Sequence, residues 1–162
     1  MRKGPNEIQS RMINRDNNYT TYKSAFDLLF KYIDVKHKKV WFPFYDTGTI
    51  NTYKFECDII HDDSDFFQTD KEFDYLIDNP PYTIKQKIIE RCISLNKPFA
   101  LLLPIDTLER KYISKLFKDR DFTIIIPTNR YDFINNTKKV TPPFKCCWFC
   151  IGFNLETNII FE

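Results

Sequence analysis

Glycine is scarce in this chain. Its 162 residues include 3 glycines, Gly4, Gly48 and Gly152, which stand far apart. A G-x-G-x-x-G turn or a P-loop needs several glycines close together, because only then can the backbone approach a phosphate. The sequence therefore excludes nucleotide binding through a glycine-rich loop.

Long apolar runs and a large charge imbalance are also missing. The longest apolar runs, such as Phe99–Pro104, are far shorter than the roughly 20 residues that cross a bilayer, and the N-terminus is polar. The 24 Lys and Arg residues against 22 Asp and Glu residues leave a formal net charge of +2, which argues against a strongly basic nucleic-acid coat. We therefore expect a soluble, cytoplasmic protein with no membrane partner.

The cysteines follow neither a disulfide framework nor a zinc-site pattern. They number 5, an odd set, which favours free thiols in a reducing compartment. Cys146, Cys147 and Cys150 are close in sequence, but Cys57 and Cys92 are isolated, and structural zinc needs four ligands, usually as two local pairs. We predict no metal site and interpret the cluster as part of a half-buried strand on which the thiols pack as apolar groups.

Apolar and aromatic side chains are abundant, at 43% and 17% of the chain, which is enough for one hydrophobic core. Residues 1–17 lack apolar periodicity and predict a flexible N-terminal arm. Residues 18–162 carry the alternating patterns of a single domain.

Strand and helix patterns alternate along that domain. Helical spacing occurs at 21–33, 83–95 and 107–118, and short apolar runs typical of strands occur at 40–44, 57–61, 73–77, 99–103 and 123–126. Repeated β–α units predict an α/β fold with a mostly parallel, doubly wound sheet that helices cover on both faces. Strands at 130–133 and 146–153 predict an antiparallel terminal hairpin. Sheets of this type bind ligands beyond the carboxyl ends of their strands.

The sharpest motif is D-N-P-P-Y at 78–82, directly after the predicted strand 73–77 and before an amphipathic helix. It resembles the N-P-P-Y motif of the S-adenosylmethionine-dependent amino-group methyltransferases, especially the N6-adenine methyltransferases, which have a Rossmann-like fold. The resemblance assigns Asn79, Pro80, Pro81 and Tyr82 to catalysis and places Asn79 beside the cofactor. Taken alone, the tetrapeptide is also an ordinary turn that ends a strand.

The chemistry explains why such residues are needed. An exocyclic amine conjugated to a purine has a delocalised lone pair and is a poor nucleophile. The Asn79 side-chain oxygen and the Pro80 carbonyl can each accept one of its hydrogens, which pulls the nitrogen toward tetrahedral geometry. Two prolines keep both acceptors in place, and Tyr82 offers a stacking face for an adenine taken out of its helix.

Segment 40–49 resembles the first cofactor motif of this family. Pro43, Phe44 and Gly48 fit the pattern, whereas Phe42 stands in place of an acidic residue and Asp46 in place of the first glycine. The resemblance implies cofactor contacts for Pro43, Phe44, Asp46 and Gly48. A strand end followed by a turn explains the same residues without a ligand.

Two further segments resemble cofactor elements. After the strand 57–61, Asp62 would accept from the ribose hydroxyls, Asp65 would meet the adenine amine of the cofactor, and Phe66 would form an apolar wall. The segment Y-T-T-Y at 19–22 resembles the N-terminal motif that covers the methionine end, and it implies cofactor contacts for Tyr19 and Thr20. The alternatives are a solvated acidic loop and a capped helix start.

The last elements concern the substrate. Phe144, after two prolines, resembles the late aromatic element that closes the base pocket in phage-type adenine methyltransferases. We assign substrate binding to Phe144 and Tyr82, and phosphate contacts to Lys85, Arg130, Lys138 and Lys139. A polar hairpin with solvated lysines is the alternative for that segment.

The resemblance implies an S-adenosylmethionine-dependent N6-adenine methyltransferase of the phage or large-virus type, acting inside the host cell if viral and on DNA in preference to RNA. We expect no separate target-recognition domain after the core, so that specificity would come from short loops, from a partner subunit, or not at all. Two alternatives stay open. RNA adenine and protein glutamine amides also present a planar NH2, and Phe42 with Asp46 allows a catalytically silent relative that binds nucleic acid or supports a partner.

Overall fold

The computed structural model describes residues 19–44 and 48–162. The predicted arm at 1–17 and the predicted cofactor residue Asp46 lie outside the described residues. Short strands and helices alternate along the described chain: β1 (Tyr19–Thr21), α1 (Lys23–Leu29), β2 (Lys39–Trp41), β3 (Asp58–Ile60), β4 (Tyr75–Asp78), α2 (Lys85–Ser94), β5 (Phe99–Pro104), α3 (Lys111–Phe117), β6 (Phe122–Ile126), β7 (Phe133–Asn135), β8 (Lys138–Val140), β9 (Cys146–Ile151) and β10 (Ile159–Phe161).

The main sheet has seven strands in the spatial order β10-β6-β9-β5-β4-β2-β3. Its neighbouring strands are parallel except for β9, which lies antiparallel between β5 and β6. Helix α1 packs on one face of the sheet, and helices α2 and α3 pack on the other. The α/β fold class with a doubly wound, mostly parallel sheet is confirmed.

An antiparallel hairpin is present, but β7 pairs with β8 and not with the segment 146–153. The two residues between these strands, Asn136 and Thr137, both have positive φ, as a tight two-residue hairpin turn requires. Strand β1 pairs antiparallel with the free edge of β7 and completes a separate three-stranded sheet. The predicted partner strand β9 instead enters the main sheet.

Strand β9 is buried on both faces, which corrects the half-buried prediction. Cys147 packs with α2 and α3, while Cys146 and Cys150 pack with α1 on the opposite face. All five cysteines of the chain are free thiols. Among the described residues, no helix is long and apolar enough to cross a membrane.

Helix boundaries differ from the prediction where neighbouring segments take other conformations. Helix α1 begins after Tyr22, because Tyr19–Thr21 extends as a strand against β7. Helix α2 begins at Lys85 and not at residue 83, because a 3-10 turn occupies Tyr82–Ile84. A similar 3-10 turn at Ile105–Glu109 delays the start of α3.

The chain reverses its direction of sheet growth at β2. From β2 it goes to β3 on one side and then returns to β4 on the other. The loops that leave β2 and β4 therefore diverge, and an open α/β sheet has its ligand crevice at such a point. At this crevice the predicted catalytic segment 78–82 meets Phe44 of the first predicted cofactor segment.

Candidate active site

A cavity of about 350 Å³ lies at the carboxyl ends of β2 and β4. Its volume is near the lower end of the range for small-molecule sites, about 300 to 1,000 Å³. Its walls come from the loops after β2 and β4, from the three-stranded sheet and from the segment after β8: Tyr19, Thr21, Phe44, Ile50, Asp78, Asn79, Pro80, Pro81, Tyr82, Thr83, Phe133, Val140, Thr141, Pro142, Pro143 and Phe144.

The buried carboxylate of Asp78 joins the two loops across the crevice. Its Oδ2 accepts a hydrogen bond from the Phe44 amide at 2.7 Å, and its Oδ1 accepts from the Asn79 amide at 2.8 Å. Asp78 is 3% exposed. Hydrogen bonds to a carboxylate are about twice as strong as neutral ones, so Asp78 fixes the backbone on both sides of the cavity.

The side chain of Asn79 is hydrogen-bonded at both ends. Its Nδ2 donates to Thr21 Oγ1 at 3.0 Å, and its Oδ1 accepts from the Tyr82 hydroxyl at 2.8 Å. The Tyr82 oxygen also lies 3.3 Å from the Cys146 sulfur. The amide is therefore held in one orientation at the cavity wall.

Burial raises the pKa of Tyr82 well above its ordinary value, and the nearby Cys146 thiol adds to the shift. The phenol consequently keeps its proton across the physiological range and acts as a donor. Its ring meets Phe144 edge to face, with ring centroids 6.1 Å apart and planes inclined at 68°. Phe144 is 38% exposed and lies at the rim of the cavity.

The structure brings together seven of the residues proposed from sequence as cavity lining: Tyr19, Phe44, Asn79, Pro80, Pro81, Tyr82 and Phe144. The other described cofactor candidates do not line it: Thr20, Pro43, Gly48, Asp62, Asp65 and Phe66. Nine lining residues were not among the site residues proposed from sequence: Thr21, Ile50, Asp78, Thr83, Phe133, Val140, Thr141, Pro142 and Pro143. Phe133 and Val140 face each other in the β7–β8 ladder, so period-two alternation in a recognised hairpin would have indicated them.

The acidic segment after β3 is locally ordered. Asp62 pairs with Lys71 at 2.7 Å and accepts from Ser64, and these contacts lower its pKa. Asp65 accepts from the Phe67 amide through Oδ1 at 2.8 Å. Its other oxygen has no donor among the described residues. Both carboxylates keep accepting capacity, because an ionised carboxylate has about four lone-pair sites.

An aromatic wall connects this segment to the cavity. The ring of Phe66 is 5.1 Å from that of Phe44, which lines the cavity, and 5.5 Å from that of Trp41. The carboxylates after β3 can accept hydrogen bonds from the hydroxyls and the amine of an adenosine, and the aromatic rings next to the cavity are of the kind that packs against its base. These groups match the adenosine part of S-adenosylmethionine in kind, but Asp62, Asp65 and Phe66 lie outside the cavity lining. The described part of the chain has no cluster of three metal-ligating side chains.

The predicted phosphate-binding residues differ in how they are engaged. Lys139 pairs with Asp132 at 2.8 Å, and Arg130 donates to the Pro142 carbonyl at 3.3 Å. Lys138 is exposed at the start of β8, and Lys85 begins α2 on the other side of the motif. None of the four lines the cavity, so any phosphate contact would be made outside it.

Comparisons with known proteins bear on the fold. No family model and no curated protein matches the sequence. The structure is similar to the crystal structure of a candidate RNA methyltransferase from Pyrococcus horikoshii, with a TM-score of 0.50 and 10% sequence identity over 93% of this chain and 85% of that chain. The chain has a Rossmann-like methyltransferase fold. At this identity the likeness extends to the fold alone, so the N-P-P-Y family, the viral type and the site roles stay predictions.

Proposed function

We propose that this protein is an S-adenosylmethionine-dependent methyltransferase that acts on the exocyclic N6 amine of adenine in DNA. The observation that supports this most is the position of Asn79: a side-chain amide, hydrogen-bonded at both ends, in the wall of a cavity at the point where the sheet changes its direction of growth. In open α/β sheets, ligands bind at the carboxyl ends of the strands where the strand order reverses, and Asn79 lies at that point.

Asn79 and Pro80 would bind the target amine. The Asn79 oxygen has a second lone pair besides the one that the Tyr82 hydroxyl occupies, and Pro80 supplies a backbone carbonyl one residue later. Accepting both N6 hydrogens localises the nitrogen lone pair and directs it toward the methyl donor. The amine then needs no general base before transfer, because its proton leaves after the nitrogen becomes cationic.

The target base would enter between aromatic side chains. Tyr82 and Phe144 border the cavity, and Tyr19, which is 45% exposed, lies at its rim. Aromatic faces stabilise an adenine that has left its stack, and each contact of this kind contributes about 1 to 3 kcal/mol. Apolar walls around a few hydrogen-bonding groups are what a planar base with an exocyclic amine requires.

S-adenosylmethionine would supply the methyl group as an electrophile. Asp65 would accept from its adenine amine and Asp62 from its ribose hydroxyls, with Phe44 against the ring and the buried Phe66 packed behind Phe44. We assign the remaining cofactor contacts to Tyr19, Thr20, Pro43, Asp46 and Gly48. Target choice would come from short loops or from a partner subunit, or the protein would have no sequence specificity.

The proposal is tested by identifying the methylated product. Purified protein is incubated with tritiated cofactor and, separately, double-stranded DNA, single-stranded DNA, RNA and a glutamine-bearing peptide, at low salt. Label in N6-methyladenine from DNA, absent with Asn79→Ala protein, is the expected result. Label in RNA or glutamine would move the activity to that substrate. No cofactor binding by calorimetry at millimolar concentration would overturn the enzyme proposal in favour of a silent relative.

A further inference from the structure

We infer that Thr21 is a positioning residue that orients the Asn79 side-chain amide, so that its oxygen, and not its nitrogen, is presented to the target amine. The inference rests on the proposed function for its chemical meaning. Thr21 carries no reacting group, and the sequence resemblance assigns it no role at the site. Its importance follows from one contact, the hydrogen bond from Asn79 Nδ2 to Thr21 Oγ1 at 3.0 Å.

Thr21 is itself held firmly. It is 6% exposed and ends β1, where it lies opposite Phe133 in the antiparallel ladder with β7. Its carbonyl accepts a hydrogen bond from the Tyr53 hydroxyl at 2.7 Å. A side chain on a strand that is anchored from two directions has little freedom to follow a rotating amide.

The partners of Asn79 select one of its two amide orientations. The Tyr82 phenol can give its proton to the Asn79 oxygen or to the Cys146 sulfur, and an amide oxygen is the much stronger acceptor. That donation places the Asn79 oxygen on the Tyr82 side. The nitrogen is then left for Thr21 Oγ1, which accepts. Without that acceptor, a flipped amide would present an N–H group to the substrate in place of the oxygen.

A flipped amide is harmful in this chemistry. The target amine is a donor through both hydrogens, so an Asn79 nitrogen facing it would oppose a donor with a donor. Cofactor affinity should change little, because neither Thr21→Val nor Thr21→Ser alters the side chains that we assign to the cofactor. The expected defect therefore falls on turnover.

Two substitutions separate the hydrogen bond from the shape of the side chain. Thr21→Val keeps the β-branched form but removes the acceptor, whereas Thr21→Ser keeps the acceptor and removes a methyl group. We expect Thr21→Val to lower kcat about tenfold, equivalent to about 1.4 kcal/mol, with KM for the substrate and the cofactor Kd within about twofold. Thr21→Ser should retain most of kcat. Equal decreases of kcat in both variants, or a change in KM without a decrease of kcat, would overturn the inference.

Amide exchange provides a readout that does not depend on activity. The side-chain NH2 resonances of Asn79 can be assigned by their loss in Asn79→Ala protein. In the unmodified protein and in Thr21→Ser, one of the two Hδ2 protons should exchange with solvent more slowly than the other. In Thr21→Val the difference should disappear. An unchanged exchange pattern in Thr21→Val would overturn the inference.

The two readouts keep the inference distinct from the proposed function. A protected Hδ2 proton that is lost in Thr21→Val, in a protein that methylates none of the substrates, would support the orientation by Thr21 and overturn the proposed function. Methylation that is unaffected in Thr21→Val would support the proposed function and overturn the orientation by Thr21.

Discussion

Tyr82 contributes through its ring and through its hydroxyl, and the two can be separated by substitution. Tyr82→Ala should weaken binding of a labelled oligonucleotide by about 1 to 3 kcal/mol, because the stacking face is lost. Tyr82→Phe keeps the ring, so affinity should stay near that of the unmodified protein. Its free energy of unfolding should fall by about 1 kcal/mol, since the hydroxyl bonds to Asn79 and contacts Cys146. Fluorescence anisotropy and urea unfolding measure the two effects, and equal affinity losses would refute the stacking role.

Asp65 has one oxygen in a local turn and one available for a ligand. Asp65→Asn preserves an acceptor for the Phe67 amide but places a donor where we expect the adenine amine of the cofactor. We predict that this change weakens S-adenosylmethionine binding by about 1 to 3 kcal/mol, the cost of leaving a buried polar group unsatisfied. Calorimetry measures the affinity, with circular dichroism as a check on folding. Unchanged affinity would remove Asp65 from the cofactor site.

At the scale of the element, strand β9 carries three thiols into the core. Burial raises the pKa of Cys146 to about 11 and that of Cys147 to about 12, and it also raises the pKa of Cys150. A thiol in an unfolded chain titrates near 8.5. Above that pH the unfolded chain loses thiol protons that the folded protein keeps, so the folded state loses relative stability as pH rises.

We therefore expect the free energy of unfolding to fall between about pH 9 and pH 11, by about 1.4 kcal/mol per pH unit for each such thiol. Urea unfolding at pH 7.5 and pH 10 measures the change. Cys147→Ala should reduce the pH dependence, whatever it does to the absolute stability. A flat profile between these pH values would contradict the burial of the β9 thiols.

Most strands of the main sheet were predictable, including β2 and β3 with three residues each, but some short strands were not. The segments 73–77 and 99–103 match β4 and β5 closely, because a buried parallel strand requires consecutive apolar residues. Strands β1, β8 and β10 have three residues each and were missed, since pairing with distant partners holds them in place. The same contrast between local patterns and long-range pairing applies to the site. The motif at 78–82 was visible locally, whereas Thr21 reaches Asn79 only through the β1–β7 ladder.

At the scale of the whole molecule, the cavity lies between the main sheet and the three-stranded sheet, and the predicted phosphate contacts lie outside it. Lys138 is exposed and has no ion-pair partner among the described residues, whereas Lys139 is paired with Asp132. A lysine that must break an ion pair with a carboxylate before it binds a phosphate contributes less net free energy to binding. The two neighbours thus form a matched pair for testing electrostatic binding.

Nucleic-acid affinity should fall steeply with salt, because each phosphate contact releases a counterion. We predict that Lys138→Gln makes the slope of log K against log salt shallower by about 0.9 for duplex DNA, or about 0.7 for a single strand. Lys139→Gln should change the slope less. Binding titrations from low to moderate salt measure both. Equal slopes in the unmodified protein, Lys138→Gln and Lys139→Gln would show that neither lysine contacts a phosphate.

The central claim is that Asn79 acts on the target amine. Single-turnover methyl transfer and S-adenosylmethionine affinity, measured side by side for the unmodified protein and Asn79→Ala, test it directly. We predict that the rate falls by about 10² or more, as when one preorganised hydrogen-bonding group is removed from an active site, while the cofactor Kd changes by less than about threefold. A rate that persists in Asn79→Ala, or a Kd that worsens in proportion to the rate, would contradict the account.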